Sequence, residues 1–288
     1  MRWIFGMLLV SVASGCATAQ TSAPAPACTV LQAPRPLPVS IRETSGLAAG
    51  RRNGDVVWTH NDSGEPNLFA LSSEGTVLAQ VKVEGASMQD WEDIEPGSCD
   101  DGHCLYVADI GDNDAARADV VIYEIPEPAL PTNTAVVRRT IRATYADGAQ
   151  DAEAFFRLPD GGMFVVTKGR HRDIALYRLV TEGNDRGVLQ RVREIGPRPQ
   201  NELDRVTAAT ASPDGKWVGI RTYRNLHVYR TDDLLGAGQP AARFTLAPLA
   251  EIQGEALTLD NEGRVWLSSE AEQENRVPTI AQVQCALN

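Results

Sequence analysis

VTAATASPDGKWVGIRTYRNLHVYR, residues 206–230, holds three short apolar runs separated by turn residues. Val206–Ser212 and Lys216–Arg221 flank Asp214-Gly215, a pair that supplies the positive φ a tight hairpin requires. Leu226–Thr231 follows a second polar turn, and Ala242–Ala247 makes a fourth run. Four short runs joined by turns predict one antiparallel unit.

The same unit recurs along the chain. Its third strand reads Leu68-Phe69-Ala70-Leu71, Ile122-Tyr123-Glu124-Ile125, Leu176-Tyr177-Arg178-Leu179, Val228-Tyr229-Arg230-Thr231 and Ile280-Ala281-Gln282-Val283, with steps of 54, 54, 52 and 52 residues. Hairpin pairs keep the beat: Asn53-Gly54, Asp101-Gly102, Asp160-Gly161, Asp214-Gly215 and Glu262-Gly263. A third marker precedes each turn: Ser45-Gly46-Leu47, Glu92-Asp93-Ile94, Glu153-Ala154-Phe155, Thr207-Ala208-Ala209 and Glu255-Ala256-Leu257. Small residues after the polar one suit an inner strand, where backbones converge on an axis.

Four short antiparallel strands at a period near fifty residues are propeller blades. The expectation is an all-β chain with a single β-propeller over residues 28–288, five-bladed, the alternative being six blades with a degenerate one within residues 113–150. The fifth unit lacks its outer strand. Residues 28–41, with Val30-Leu31 and Val39-Ser40-Ile41, can take the empty place and leave no open sheet edge.

The segment before the propeller reads as an export signal. Arg2 precedes an apolar run, Trp3 to Val12, too short to span a bilayer. Residues 1–15 are the expected signal peptide. Ala13-Ser14-Gly15-Cys16 resembles a lipobox, with Ala13 where such boxes usually carry a larger aliphatic residue, and makes Cys16 the expected lipidation site. Cleavage after Ala17-Thr18-Ala19 is the other reading. Residues 16–27 are a tether with no core-forming pattern. The protein is therefore expected in the periplasm, lipid-anchored at the cell envelope, or else secreted, touching a membrane only through the lipid. Four further cysteines fit an oxidising compartment. Cys99 can pair with Cys104 across a hairpin, and Cys28 with Cys285 across the chain ends.

The formal net charge is −11. That balance excludes nucleic acid as the expected partner, since its binding needs a clustered basic surface. A monomer is expected, with no protein partner indicated. The polar marker residues, Ser45, Glu92, Glu153, Thr207 and Glu255, should share one mouth of the central channel. By the period-two rule, Glu43, Asp90, Asp151, Arg205 and Gln253 share their face. The second strands end at Asn61-Asp62, Asp109, Lys168, Arg221 and Glu270. So many carboxylates near one axis raise each other's pKa. A Ca2+ ion is one remedy, held among Glu43, Asp90, Glu92, Asp109, Asp151, Glu153 and Glu255. Internal pairing with Lys168, Arg205 and Arg221 is another, and a plain hydrogen-bonded plug is a third. His60 stands either at the mouth or in the core. His171 sits in a loop, and Trp58, Trp91 and Trp266 read as core. No Gly-x-Ser-x-Gly elbow surrounds Ser45 or Ser63, which argues against a serine hydrolase.

WTHNDSG (58–64), DWEDI (90–94), DIGDN (109–113) and DAE (151–153) together resemble a family of exported bacterial β-propeller proteins, over roughly residues 40–270. A more distant likeness is to phytase-like and esterase-like propellers, some of which bind calcium. The resemblance implies the fold and no particular activity. The functional expectation is a small polar or anionic ligand bound, with a cation, at the acidic top of the channel. Asn61, Asp62, Lys168, Arg205 and Arg221 are the candidate ligand-binding side chains. The alternative is hydrolysis, with Glu92 and Glu153 as catalytic carboxylates. It would act either on phosphoesters with calcium assistance or on glycosides through a carboxylate pair.

Overall fold

The computed structural model describes residues 28–100, 102–183, 185–271 and 276–287. Cys16, the signal segment and the tether lie outside the described residues. The rest is all-β. Strand β1 (Cys28–Pro36) opens the fold, followed by β2 (Thr44–Ala49), β3 (Val56–Asn61), β4 (Asn67–Ser72) and β5 (Val77–Glu84). Next come β6 (Trp91–Cys99), β7 (Gly102–Asp109), β8 (Val120–Pro126), β9 (Thr134–Val136) and β10 (Arg139–Tyr145). Then follow β11 (Ala152–Arg157), β12 (Met163–Thr167), β13 (Ile174–Glu182) and β14 (Arg186–Gly196). The remainder is β15 (Val206–Ala211), β16 (Trp217–Thr222), β17 (Asn225–Arg230), β18 (Ala242–Thr245), β19 (Gln253–Leu259), β20 (Arg264–Glu270) and β21 (Thr279–Cys285).

Consecutive strands pair antiparallel in the orders β2-β3-β4-β5, β6-β7-β8-β10, β11-β12-β13-β14, β15-β16-β17-β18 and β19-β20-β21-β1. Two parallel pairings complicate this plan. β9 adds to the outer edge of β5, and β10 joins β14, fusing two groups into an eight-stranded sheet. Residues 113–150, where an extra blade was an alternative, form no sheet of their own. They supply β8, β9 and β10 to sheets already present.

The innermost strands β2, β6, β11, β15 and β19 pack each on the next, and β19 returns to β2. Apolar clusters fill the spaces between neighbouring groups. Trp58, Leu68, Trp91, Ile94 and Tyr123 occupy one. Tyr106, Phe155 and Tyr177 occupy the next, and Phe156, Val166, Ile220 and Tyr229 a third. Leu226, Leu257, Leu267 and Val283 fill a fourth, and Ile41, Leu47, Trp266 and Ile280 close the circle. Each large side chain removed from water contributes up to about 3 kcal/mol, before entropy opposes it.

The N-terminal strand does close the last sheet. β1 pairs antiparallel with β21, Cys28 opposite Cys285, and a disulfide joins the two. A second disulfide joins Cys99 and Cys104 across the β6–β7 hairpin. The expected positive φ is found at Gly102, Gly161, Gly215 and Gly263. Gly54 departs from it. The turn over residues 51–53 is shaped instead by Glu127, whose carboxylate accepts from the Arg51, Arg52 and Asn53 amides at 2.9, 2.8 and 3.3 Å.

Candidate functional site

Each innermost strand slips by one residue against its hairpin partner. The slips fall between Thr44 and Gly46, Trp91 and Asp93, Ala152 and Ala154, Val206 and Ala208, and Gly254 and Ala256. The residues stepped over are Ser45, Glu92, Glu153, Thr207 and Glu255, the five polar markers of the repeat. A bulge leaves one residue outside the ladder and re-aims its side chain. All five are buried. Of the residues two positions upstream, Asp90 stands beside Glu92 over Gly111 and Gln253 donates to Glu255, whereas Asp151 and Arg205 pair with Arg170 and Glu202. The partner strands deliver a second set. Counting one past the residue that pairs just before each slip gives Asp62, Ile110, Lys168, Tyr223 and Glu270.

These side chains meet. The Ser45 hydroxyl donates to the Glu92 carbonyl at 2.9 Å and lies 3.3 Å from the Glu92 carboxylate. Thr207 donates to the Gly254 carbonyl at 3.0 Å. Buried Lys168 forms an ion pair with buried Glu153. The Gln253 amide donates to Glu255 at 2.9 Å and also to Glu270. The second carboxylate oxygen of Glu255 is buried without a hydrogen-bond partner. Asp90 and Glu92 converge over Gly111. A Cβ there would stand 2.3 Å from an oxygen of each.

Lys168 pairs with Glu153, and the remaining carboxylates of the mouth repel one another. Burial, with Glu153 and Asp90 adding repulsion, holds Glu92 well above the usual carboxylate range. Burial also pushes Asp62 up to about 8, helped by Glu43 and Asp90. Glu255 rises to about 7 through burial and Glu153, with Lys168 opposing. Asp90 rises to about 6 through burial and Glu153, with Arg117 opposing. For Lys168, burial would favour loss of the proton, but Glu153, Tyr223, Glu255 and Glu92 outweigh it and its pKa is raised.

Other expected site residues are engaged elsewhere. Arg221 is fully buried beneath Glu255 and donates to the Ala256 carbonyl at 2.8 Å and the Glu251 carboxylate at 2.7 Å. Arg205 pairs at 2.9 Å with exposed Glu202. Asn61 accepts from the Glu43 amide at 3.2 Å and donates to the Ser40 carbonyl at 3.0 Å, so it ties down a loop. Asp109 accepts from the Gln89 amide at 3.0 Å and from Arg117 at 2.8 Å. Asp151 pairs with Arg170 at 2.7 Å. His60 is fully buried against Trp91, and burial lowers its pKa to about 4, so it is a neutral core residue. His171 meets the Asn113 carbonyl at 2.8 Å on the surface.

Three channel residues escaped the sequence reading. Asp93 is fully buried, and one of its oxygens accepts from the Phe155 amide at 2.9 Å and the Ala209 amide at 3.2 Å. It thereby links three innermost strands. Glu95, two residues on, accepts from the Ala211 amide at 3.2 Å. Burial holds both well above the usual carboxylate range. The signal was present: the position carries Gly46, Ala154, Ala208 and Ala256 in the other units, so only Asp93 breaks the small-residue rule. Four small neighbours make room for one carboxylate. Tyr223, against Glu255, Lys168 and Glu153, was missed because its unit was read only as far as Arg221.

The mouth offers an all-oxygen donor set, the chemistry hard cations use. Among the described residues, however, only Cys99, Cys104 and Glu124 bring three potential ligand atoms within 4.8 Å of one another, and both sulfurs belong to the disulfide.

The chain is similar in structure to the PQQ-bound aldose sugar dehydrogenase of Streptomyces coelicolor. The TM-score is 0.56 and the identity 11%, with 92% of this chain and 100% of that chain covered. That protein is of propeller type, and at this identity the likeness defines the fold class alone. No protein-family model and no curated protein matches the sequence. No helix among the described residues is long and apolar enough to cross a membrane.

Proposed function

We propose that the protein is an exported five-bladed propeller that binds a small, hydroxyl-rich polar ligand, with a cation, over the carboxylate mouth. The observation that carries this is the set of five register slips, which turn Ser45, Glu92, Glu153, Thr207 and Glu255 out of their ladders at one end of the channel. Such slips cost ladder hydrogen bonds, and repeating them at every equivalent position serves side-chain placement rather than packing. Carboxylates accept from hydroxyl groups, which suits a polyol. An anionic ligand would need the cation as a bridge, since Lys168 is already paired. Asp90 and Glu92, which converge over Gly111, would hold Ca2+ only with Glu255 drawn in towards them, and the ion would then neutralise the mouth and polarise a ligand oxygen. Asp93 and Glu95 form the floor.

The test is a thermal melt of residues 28–288 with Ca2+, with EDTA and with simple sugars, repeated on Glu92→Gln. A bound ligand raises the midpoint by mass action. A calcium- or sugar-dependent rise that Glu92→Gln abolishes supports the reading. Midpoints indifferent to every addition favour a plugged scaffold.

A second reading is hydrolysis of a glycoside, favoured by the contrast between Glu92 and Glu153. Burial, with Glu153 and Asp90 beside it, holds Glu92 well above the usual carboxylate range, while Glu153 is an ion-pair partner of Lys168. Two carboxyls in unlike surroundings, one buried among acids and one paired with a cation, suit a general acid and its partner base or nucleophile. A phosphoester substrate is less well served, because Arg205 and Arg221 are committed elsewhere. Turnover of aryl glycosides that falls at least a hundredfold in both Glu92→Gln and Glu153→Gln would establish this reading.

Export through the N-terminal segment and lipid attachment at Cys16 belong to the same proposal. The two disulfides are the feature that supports an oxidising compartment. Loss of fatty-acid labelling in Cys16→Ser tests the anchor.

A further inference from the structure

We propose that the cleft between the β6–β10 and β11–β14 groups, at the end of the fold opposite the acidic mouth, is a binding site for a phosphate-bearing ligand. Strand β6 runs from Glu92 at the mouth to Cys99 at the cleft, about 20 Å away at a strand's rise per residue. The cleft encloses about 930 Å3 and is lined by Arg138, Arg139, Arg157 and Arg178. That volume exceeds what a single inorganic anion fills and suits an organic phosphate or a short run of phosphates. A groove of about 420 Å3 shares Arg138 and Arg139 with it and adds Arg142 and Arg186. Six guanidinium groups thus gather at one end of a chain whose formal net charge is −11.

Among the described residues, no acid forms an ion pair with Arg178 or Arg186. Asp100 and Glu124 both pair with Arg138. Asp160 accepts from the Gly162 amide at 2.8 Å within its own turn. Asp119 pairs with Arg142 at 3.2 Å, and Asp185 lines both spaces. Two of the arginines are set in place by aromatic rings. Arg157 lies 4.8 Å over Tyr106 and also donates to the Ser98 carbonyl at 3.2 Å. Arg178 lies 5.9 Å over Phe164. Stacking holds the guanidinium plane, which limits the ordering cost on binding. Arg157 also donates to the Leu158 carbonyl at 3.4 Å, so the N–H edge offered to a ligand is that of Arg178.

The fusion of the two groups supplies the strongest argument. Where β10 meets β14 in parallel, Arg142 is the register partner of Arg186. Like charges paired across strands repel. Asp119 offsets Arg142 at 3.2 Å, and an anion held beside Arg186 would offset the other through charge-assisted hydrogen bonds. Guanidinium forks match phosphate oxygens in geometry.

The experiment is a thermal melt of residues 28–288 with tripolyphosphate, with inorganic phosphate, and with sodium chloride at matched ionic strength. It is repeated on the Arg178→Gln/Arg186→Gln double variant, which removes no ion pair found among the described residues. Cosedimentation with phosphatidylglycerol and with phosphatidylcholine vesicles forms a parallel arm. The expected result is a rise of several degrees with tripolyphosphate that chloride does not reproduce and the double variant loses. Glu92→Gln keeps that rise, which separates this site from the mouth. Sedimentation with phosphatidylglycerol alone, lost in the double variant, identifies a lipid headgroup as the phosphate source. Binding of tripolyphosphate without sedimentation identifies a soluble phosphate. A rise that chloride matches, a rise kept by the double variant, or no response to tripolyphosphate and phosphatidylglycerol alike overturns the proposal.

Discussion

Lys168 is the side chain on which the charge of the mouth depends. Lys168→Met should leave Glu153 buried and unpaired, and breaking a buried pair from one side costs about 3–5 kcal/mol. Urea unfolding would measure it. The double variant Lys168→Met/Glu153→Gln should recover most of the loss, and a double variant as unstable as the single one would contradict the pairing. Gly254 is a second sensitive point, because a Cβ there would stand 1.8 Å from a guanidinium nitrogen of Arg221. Gly254→Ala should displace Arg221 from Glu251 and destabilise the fold by about 2–4 kcal/mol, whereas Gly54→Ala, with open space around it, should be nearly neutral. At this scale the sequence was legible wherever a residue type recurred with the repeat. Ser45, Glu92, Glu153, Thr207 and Glu255 were found that way. Arg221 was misplaced because strand-end position fixes where a residue starts and says nothing of where a long side chain reaches.

The elements were legible through their turns and their spacing. Twenty strands of the repeat plan follow from alternation and hairpin pairs. The slips at the mouth were not, since a bulge is set by one unpaired residue and leaves no mark on composition. The parallel pairings of β9 and β10 were also hidden, for they depend on how far outer strands extend beyond their neighbours. The closing strand β1 was foreseen from the missing outer strand, and its disulfide spans 257 residues. Opening that bond with Cys28→Ser should lower stability by about 2–5 kcal/mol, mainly by freeing the unfolded chain. Cys99→Ala/Cys104→Ala, closing only a short hairpin with a separation of 5, should cost less. Paired denaturant curves would rank the two, and the reverse order would count against the closing role of β1.

For the molecule as a whole, the raised carboxyls make stability depend on pH in an uncommon direction. Asp62 at about 8, Glu255 at about 7 and Asp90 at about 6 hold protons that the unfolded chain has released. The native state then binds more protons between roughly pH 4 and 8, so stability falls as pH rises through that window. The midpoint should climb when the ligand-free protein is taken from pH 8 to pH 5. Asp62→Asn together with Glu255→Gln should flatten the slope, and an unchanged slope would mean that these groups are not confined as described. Calcium at the mouth should flatten it as well, by favouring the ionised forms.

The pairing of β1 with β21 also sets a timetable. Among the described residues β1 has a ladder partner only in residues 279–285, so during synthesis it waits until that later strand has been made. Until then the circle is a horseshoe with two bare edges, the form in which such a protein is most open to aggregation and to chaperones.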